Sequence, residues 1–164
     1  AILVGCDDAA YCVKEIRASG YPVIVARIHG LPMRENEGYD KTYVLPRQLF
    51  EAGIPFSFTE NGSWQQRNLC FNAGSSVAFG LPEAEALRAL TLAPARMFGV
   101  DAKVGSLEVG KDATLFVSTG NALDGRTNNV EMAFVQGRAV SMQNRHTRLA
   151  EKYRTKFRQL QKSE

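Results

Sequence analysis

Three side chains that can bind metals or transfer protons each follow a predicted β-strand. They are Cys6, His29 and Glu60; no other Cys or His lies close to Cys6, and His29 is a lone histidine. Thiolates, imidazoles and carboxylates are the usual protein ligands of zinc, and imidazoles and carboxylates also act as general acids and bases. A structural interpretation stands beside each chemical one. Cys6 suits a small packing position, and a lone His29 suits a hydrogen-bonded structural group. Glu60 precedes Asn61 and Gly62, so it also suits a polar turn.

The elements before these residues alternate between strand-like and helix-like patterns. The predicted strands are 1–4, 23–26 and 55–58, and the predicted helices are 9–19, 45–52 and 67–79. Strands separated by helices in this way form βαβ units, in which the strands pair in parallel. Gly74 and Ser75 lie inside the last predicted helix and make its continuity less certain. Residues 27–42 form a connection longer than most βα loops, which is typical of segments that line sites.

The pattern changes after residue 80. Residues 83–90 are strong helix formers, a second short helix is predicted at 95–98 after Pro94, and Gly99 ends it. Beyond Gly105 the apolar segments 113–117, 130–135 and 139–142 are strand-like, with a turn at Gly137 and Arg138. The chain therefore passes from helices and parallel strands to paired antiparallel strands.

Three blocks of sequence carry a resemblance to a known family. They are EALRALTLAPARMFGVD at 85–101, GSLEVGKDATLFV at 105–117 and AFVQGRAV at 133–140. In this order and spacing they resemble the carboxy-terminal signature of the amidohydrolase superfamily, in its imidazolonepropionase-like branch. The resemblance implies an α/β fold, namely the C-terminal part of a metal-dependent hydrolase-like (β/α)8 barrel with strands of a small β domain and a terminal helix. It also implies hydrolysis of a C–N bond in a cyclic amide, amidine or peptide-like substrate.

The length of the chain limits how much of that fold it can form. A complete (β/α)8 barrel takes about 200–250 residues, whereas this chain has 164. We therefore expect a truncated chain with a partial (β/α) barrel segment at residues 1–104, β-domain strands at 105–143 and a C-terminal amphipathic helix at 144–164. Barrel enzymes carry their chemistry at the carboxyl ends of the strands. The residues that follow the predicted strands are therefore the candidates for a site.

The resemblance assigns roles to these candidates. Cys6 stands where the family usually has a metal-binding His. Thr59-Glu60 stands where most members have Thr-Asp, whose carboxylate binds metal and takes the proton of the attacking water. Glu60 is thus the candidate catalytic and metal-binding residue, and Cys6 is the second candidate metal position. The candidate substrate-binding residues are Arg27, His29, Asn61 and Trp64.

The implied cofactor is zinc or another divalent metal. In the family, a His-x-His pair and a later Lys or His complete the ligand set, and these ligands would lie before Ala1. We therefore expect that this chain alone binds no metal tightly and hydrolyses nothing. The alternative is a degenerate, non-catalytic amidohydrolase homologue that serves as a pairing subunit or a ligand-binding module.

Positive charge is concentrated at the end of the chain. Residues 144–164 hold seven Lys or Arg against two Glu, which gives this segment a net charge of +5. The whole chain has a net charge of +3, so residues 1–143 carry −2. Leu149, Tyr153, Phe157 and Leu160 share one face of a predicted helix of about 15 residues. This pattern predicts a helix docked on its own protein or on a neighbouring subunit. No helix-turn-helix spacing, zinc knuckle or aromatic platform accompanies the basic residues, so nucleic-acid binding is not indicated.

The composition is that of an ordinary globular protein. Hydrophobic residues make up 45% and charged residues 23% of the chain, which argues against disorder. Cys6, Cys12 and Cys70 lack zinc-site spacing and suit free, buried thiols better than disulfides. The expected partners are a small-molecule substrate or ligand and a second copy or homologous subunit, without nucleic acid or membrane. Neither the cytoplasm nor the cell envelope is favoured.

Overall fold

The computed structural model describes residues 1–26 and 28–161, and its first half contains a parallel sheet. The strands are β1 (Leu3–Val4), β2 (Val23–Val25) and β3 (Phe56–Phe58), in the order β1-β2-β3. Val23 lies opposite Leu3 on one side and Phe56 on the other, and both pairings are parallel. The parallel arrangement predicted from the βαβ pattern is therefore confirmed.

Helices follow and cover these strands. They are α1 (Val13–Ser19), α2 (Lys41–Glu51), α3 (Leu69–Ala78), α4 (Glu83–Leu90) and α5 (Leu92–Met97), with 3-10 turns at Ala9–Tyr11 and Gln65–Asn68. α2, α3, α4 and α5 all contact β3, while α3 also contacts α2 and α4. Gly20 ends α1 in the left-handed conformation, with φ of 69°, which a glycine adopts without steric cost.

The core lies between β2, β3 and the helices. All three residues of β3 are buried, which fits a strand covered on both faces. α2 contributes Leu45 and Leu49 to the core, and α4 contributes Ala86 and Ala89 at helical spacing. Burial of these apolar side chains is the main stabilisation that the structure offers.

α2 begins one turn earlier than the sequence predicted. The sequence predicted the helix at residues 45–52. In the structure Pro46 lies inside the helix. Tertiary contacts hold the earlier turn, since Thr42 Oγ1 donates to the Ile28 carbonyl at 2.8 Å and Lys41 Nζ donates to Asp8 Oδ1 at 3.2 Å.

α3 runs without a break through Gly74 and Ser75. A Cβ on Gly74 would overlap the carbonyl oxygen of Leu123, so the missing side chain permits close approach rather than ending the helix. α5 begins at Leu92 instead of residue 95, because Pro94 lies within its first turn.

The second sheet is antiparallel. Its strands are β4 (Leu115–Ser118), β5 (Val130–Val135) and β6 (Arg138–Val140), in the order β4-β5-β6. Gln136 and Gly137 form the β5–β6 turn with φ of 51° and 77°, which suits a type I′ hairpin. The predicted turn at Gly137 and Arg138 is thus one residue late, because Arg138 already pairs with Val135.

The terminal helix α6 (Arg145–Gln161) is present as predicted, but it buries none of its residues. Its apolar residues Leu149, Tyr153, Phe157 and Leu160 are between 39% and 61% exposed. Docking on its own protein is therefore wrong for the part of the chain described, whereas docking on a neighbouring subunit stays a prediction. The amphipathic pattern specifies a face that suits a partner but not the partner's position. Within residues 1–26 and 28–161, no helix is both long and apolar enough to cross a membrane.

Candidate functional site at the carboxyl edge of the parallel sheet

The predicted site residues lie at one edge of the first sheet. β1, β2 and β3 end at Val4, Val25 and Phe58. Because parallel strands share the direction of their carboxyl ends, the segments with Cys6, His29 and Glu60 all leave the sheet at the same edge. The structure therefore places these segments together, while the side-chain contacts decide which residues work jointly.

Glu60 is half-buried and is held by α3. Its Oε1 accepts a hydrogen bond from Nδ2 of Asn72. Asn72 is fully buried, and its Oδ1 has no hydrogen-bond partner among the described residues. An unpaired buried carbonyl oxygen costs about 1–3 kcal/mol. The hydrogen bond to a charged group offsets part of that cost and fixes the direction of the Glu60 carboxylate.

His29 is exposed and is also held by α3. Its Nε2 lies 2.7 Å from Ser75 Oγ, and Ser75 Oγ donates its single proton to the Phe71 carbonyl at 3.0 Å. The imidazole ring lies 6.1 Å from the Tyr43 ring, and Tyr43 stacks on Phe79 at 4.9 Å. His29 thus rests between α2 and α3 with one nitrogen fixed.

Asn72 and Ser75 are three residues apart on α3 and therefore share one face. Side chains at this spacing have Cβ atoms about 5–6 Å apart. The helix consequently brings Glu60, which follows β3, near His29, which follows β2. A carboxylate and an imidazole that are both held by α3 suit proton transfer and the binding of polar substrate groups.

Cys6 contacts different surroundings from Glu60 and His29. Its thiol is free and partly buried against the core. It borders an open cavity of about 450 Å³, together with Gly5, Asp7, Asp8, Met33 and Arg34. The packing interpretation of Cys6 accounts for these contacts.

A network of ion pairs, which the sequence analysis did not identify, holds residues 28–40 against Asp8, four residues after the end of β1. Arg34 binds Asp8 through both guanidinium nitrogens at 2.7 and 2.8 Å, and it binds Glu37 at 2.8 Å. Lys41 joins the same two carboxylates at 3.2 and 2.6 Å. The alternation of positive and negative residues along 34–41 could have indicated local ion pairs. It could not indicate Asp8, which lies 26 residues before Arg34.

The network shifts the pKa values of its carboxyl groups. The hydrogen bond from Lys41 holds the pKa of Glu37 down, to about 2, and Arg34 adds to the effect. Hydrogen bonds from Arg34 and then Lys41 also keep the pKa of Asp8 well below its usual range. Both carboxyl groups are ionised in the folded protein at neutral pH, so residues 28–40 are held to Asp8 by ion pairs.

Asn61 and Trp64 are exposed after β3, at the same edge as Glu60. Trp64 is 71% exposed, and the Arg67 guanidinium lies 4.3 Å from the ring centroid. This is a cation–π contact on the surface, not the cover of an apolar pocket. Arg27, the remaining substrate-binding candidate, lies outside the described residues.

The described residues do not form a metal site on their own. Residues 1–26 and 28–161 hold no group of three or more His, Cys, Asp or Glu side chains arranged to bind a metal ion. Oε1 of Glu60 is hydrogen-bonded to Asn72 of α3, and Nε2 of His29 is hydrogen-bonded to Ser75 of the same helix. A catalytic zinc site takes three protein ligands and leaves a position for water, so the residues present do not fit that ligand set.

The fold is α/β, and its candidate residues lie at the carboxyl edge of a parallel sheet. Residues 40–140 match the model of the Amidohydrolase family, and the chain belongs to that family.

Two curated proteins are similar to parts of the chain. N-acetylglucosamine-6-phosphate deacetylase of Haemophilus influenzae is 30% identical over 103 residues, which cover 50% of this chain and 27% of that protein. Imidazolonepropionase of Micrococcus luteus is 43% identical over 75 residues, which cover 43% of this chain and 19% of that protein. The chain therefore spans about a quarter or less of the length of these relatives.

A solved structure supports the fold. The crystal structure of an amidohydrolase from Thermotoga maritima MSB8 matches with a TM-score of 0.73 and 22% sequence identity. The match covers 87% of this chain and 37% of that chain.

Proposed function

We propose that this chain forms the C-terminal part of a hydrolase that acts on C–N bonds in cyclic amide, amidine or peptide-like substrates. Glu60 carries the proposal, because it is a carboxylate at the carboxyl edge of the sheet, oriented by the buried Asn72 in a member of the Amidohydrolase family. The names of the relatives, a deacetylase of an N-acetyl sugar phosphate and imidazolonepropionase, support a nitrogen-containing substrate.

In this proposal Glu60 acts as a general base. Its carboxylate takes a proton from water while the water oxygen attacks the electrophilic carbon of the substrate. The proton then passes to the leaving nitrogen as the C–N bond breaks, so the carboxylate is regenerated. Glu60 is one methylene longer than the Asp of most family members, and the hydrogen bond from Asn72 limits the extra freedom.

The proposed substrate contacts come from the same edge of the sheet. His29, Asn61 and Trp64 are exposed there. Arg27 is a fourth proposed contact that rests on the resemblance, and it lies outside the described residues. We also propose the domain division 1–104, 105–143 and 144–164, which the change from parallel to antiparallel pairing supports. The proposed partners are a small-molecule substrate and a second copy or homologous subunit.

The family generally uses divalent metal ions, and this chain contributes Glu60 as its best ligand candidate. The described residues do not complete a ligand set, so we expect the purified 164-residue chain to hold less than about a tenth of an equivalent of zinc after dialysis. Elemental analysis checks this expectation. Stoichiometric zinc that is lost in Glu60→Ala or His29→Ala would show that it is wrong.

The catalytic proposal is tested on the natural full-length polypeptide that contains these residues. Hydrolysis is measured on N-acetyl sugars, cyclic amides and Xaa-Pro dipeptides, with Glu60→Gln as the variant. We expect Glu60→Gln to lower kcat by at least about a hundredfold, because a lost general base costs about 10²–10⁴-fold. Glu35→Gln, at an exposed position near Glu37, is the matched control. Equal rates for Glu60→Gln and the unmodified protein would contradict the proposal.

A non-catalytic homologue is the second candidate. Cys6 and Glu60 occupy positions where the resembled family has His and Asp, and two changed positions are typical of a site that has lost its reaction. This candidate predicts no hydrolysis of any substrate class by the full-length protein. It also predicts a stable complex with an active homologue, measured by light scattering on the mixed proteins.

A further inference from the structure

The hydrogen-bond pattern around His29 bears on which of its two nitrogens carries the proton. Ser75 Oγ has one proton, and the contact to the Phe71 carbonyl at 3.0 Å uses it. With its proton directed to Phe71, Ser75 Oγ accepts from His29 Nε2, which lies 2.7 Å away. The reverse arrangement, in which Ser75 donates to an unprotonated Nε2, has the same heavy-atom positions, and the tautomer measurement below distinguishes the two. A neutral imidazole has one N–H, so a proton on Nε2 leaves Nδ1 with a free electron pair.

The second nitrogen, Nδ1, belongs to an exposed side chain. Nδ1 has no hydrogen-bond partner among residues 1–26 and 28–161. Tyr43 limits rotation of the ring from the side, with the ring centroids 6.1 Å apart. The ring is thus held at one nitrogen and available at the other.

The geometry points to Ser75 as a positioning residue that locks His29 in the Nε2–H tautomer, so that Nδ1 accepts a hydrogen bond from the N–H of an amide substrate. The substrate part of this inference rests on the proposed function, while the tautomer part does not. Ser75 acts through His29, and it lies one helical turn from Asn72, which orients Glu60 in the same way. α3 would therefore orient both the Glu60 carboxylate, which is the proposed base, and the His29 imidazole, whose Nδ1 is the proposed substrate contact.

The tautomer can be measured directly because the chain has only two histidines. Histidine labelled with ¹⁵N gives separate signals for His29 and for His146 on α6, which serves as the internal reference. At pH 8.5, where imidazoles are neutral, His29 should show a protonated Nε2 and an unprotonated Nδ1. His146 is exposed and should show a mixture of both forms.

Ser75→Ala should convert His29 to a mixture of tautomers, and Ser75→Thr should restore the Nε2–H form because it keeps the hydroxyl. Ser76→Ala is the matched control. Ser76 is buried on the same helix and donates to the Asn72 carbonyl at 3.3 Å, so its loss changes packing without touching His29. A wild-type His29 protonated at Nδ1, or a Ser75→Ala signal identical to wild type, would overturn the inference.

The substrate contact is tested by kinetics on the full-length protein. A lost hydrogen bond to substrate should raise KM by about two- to tenfold in Ser75→Ala and leave kcat within about twofold. His29→Asn, which places an amide near the position of Nδ1, should retain more affinity than His29→Gln, which places it near Nε2. Unchanged KM in both Ser75→Ala and His29→Gln would refute the contact. Failure of Glu60→Gln to lower kcat would instead refute the proposed base and leave the tautomer result standing.

Discussion

Gly74 lies where α3 meets the backbone of Leu123. We expect Gly74→Ala to lower the free energy of unfolding by about 1–3 kcal/mol, because the new methyl group overlaps the Leu123 carbonyl oxygen and forces the backbones apart. Urea denaturation followed by circular dichroism measures the change.

Gly125→Ala provides the control for the same contact. A Cβ on Gly125 would lie 3.8 Å from the Phe71 ring, which is an ordinary van der Waals distance. Its unfolding free energy should stay within about 0.5 kcal/mol of wild type. Equal losses in the two variants would show that general glycine loss, rather than the Leu123 contact, is responsible.

The strand-end positions of Cys6, His29 and Glu60 followed from local patterns, because each comes soon after a short apolar run. Asn72 and Ser75 could not be found in that way. Polar residues inside a helix usually face solvent, and their partners are 12 and 46 residues distant in sequence. Asn72 and Ser75 reach Glu60 and His29 only because α3 packs near the ends of β2 and β3 in the folded protein.

At the scale of elements, the charge network makes the attachment of residues 28–40 depend on pH. The folded-state pKa of Glu37 is about 2, below its ordinary value of 4.5. The ionised carboxylate therefore favours the folded state, and its contribution is complete above about pH 5.5 and is lost as the pH falls toward 2. We expect the unfolding free energy to decrease over this range, as measured by urea denaturation at several pH values.

Glu37→Gln should reduce the slope of that decrease, because the amide does not titrate. The exposed Glu35 gives the matched control, and Glu35→Gln should keep the wild-type slope. If Glu37→Gln and wild type lose stability in parallel from pH 5.5 to 2.5, then the network does not contribute to stability in the way that its geometry indicates.

The first turn of α6 depends on a reciprocal cap. Asn144 Oδ1 accepts from the Thr147 amide at 3.0 Å, and Thr147 Oγ1 accepts from the Asn144 amide at 2.9 Å. Asn144→Ala should cost about 1 kcal/mol locally, seen as about fivefold faster amide hydrogen exchange at residues 146–150. Global unfolding should not change, because α6 buries none of its residues. Gln143→Ala should leave exchange unaffected, and slower exchange in Asn144→Ala would contradict the capping role.

Periodicity predicted several elements to the residue, including α4 at 83–90 and β5 at 130–135. It failed where a distant contact determines a boundary. The start of α2 depends on Lys41 and Thr42, whose partners Asp8 and Ile28 lie 33 and 14 residues earlier in the chain. The surroundings of α6 could not be predicted either, because amphipathicity carries no information about the position of a partner.

At the scale of the whole molecule, exposed apolar surface should cause self-association. β1 is an edge strand with Val4 65% exposed, and Phe157 on α6 is 61% exposed. Open strand edges and apolar helix faces both favour contacts with other chains. We expect the mass of the 164-residue chain in sedimentation equilibrium to increase with concentration.

Phe157→Glu should lower that association by at least about threefold, since it places a charge on the apolar face. Thr155→Glu adds the same charge two residues away, on the opposite side of α6, and should leave association nearly unchanged. A wild-type chain that remains monomeric at millimolar concentration would contradict the prediction.

Trp64 gives the molecule an optical property that follows from its position. It is the only tryptophan in the chain, and it is exposed beside Arg67 a few residues after Glu60. Its fluorescence therefore reports the solvent around the candidate site and not the integrity of the core. A ligand that displaces Arg67 or covers the indole should change the emission without any added dye. For the same reason, a fluorescence melting curve would record rearrangement at this edge, and a separate signal is needed for loss of the fold.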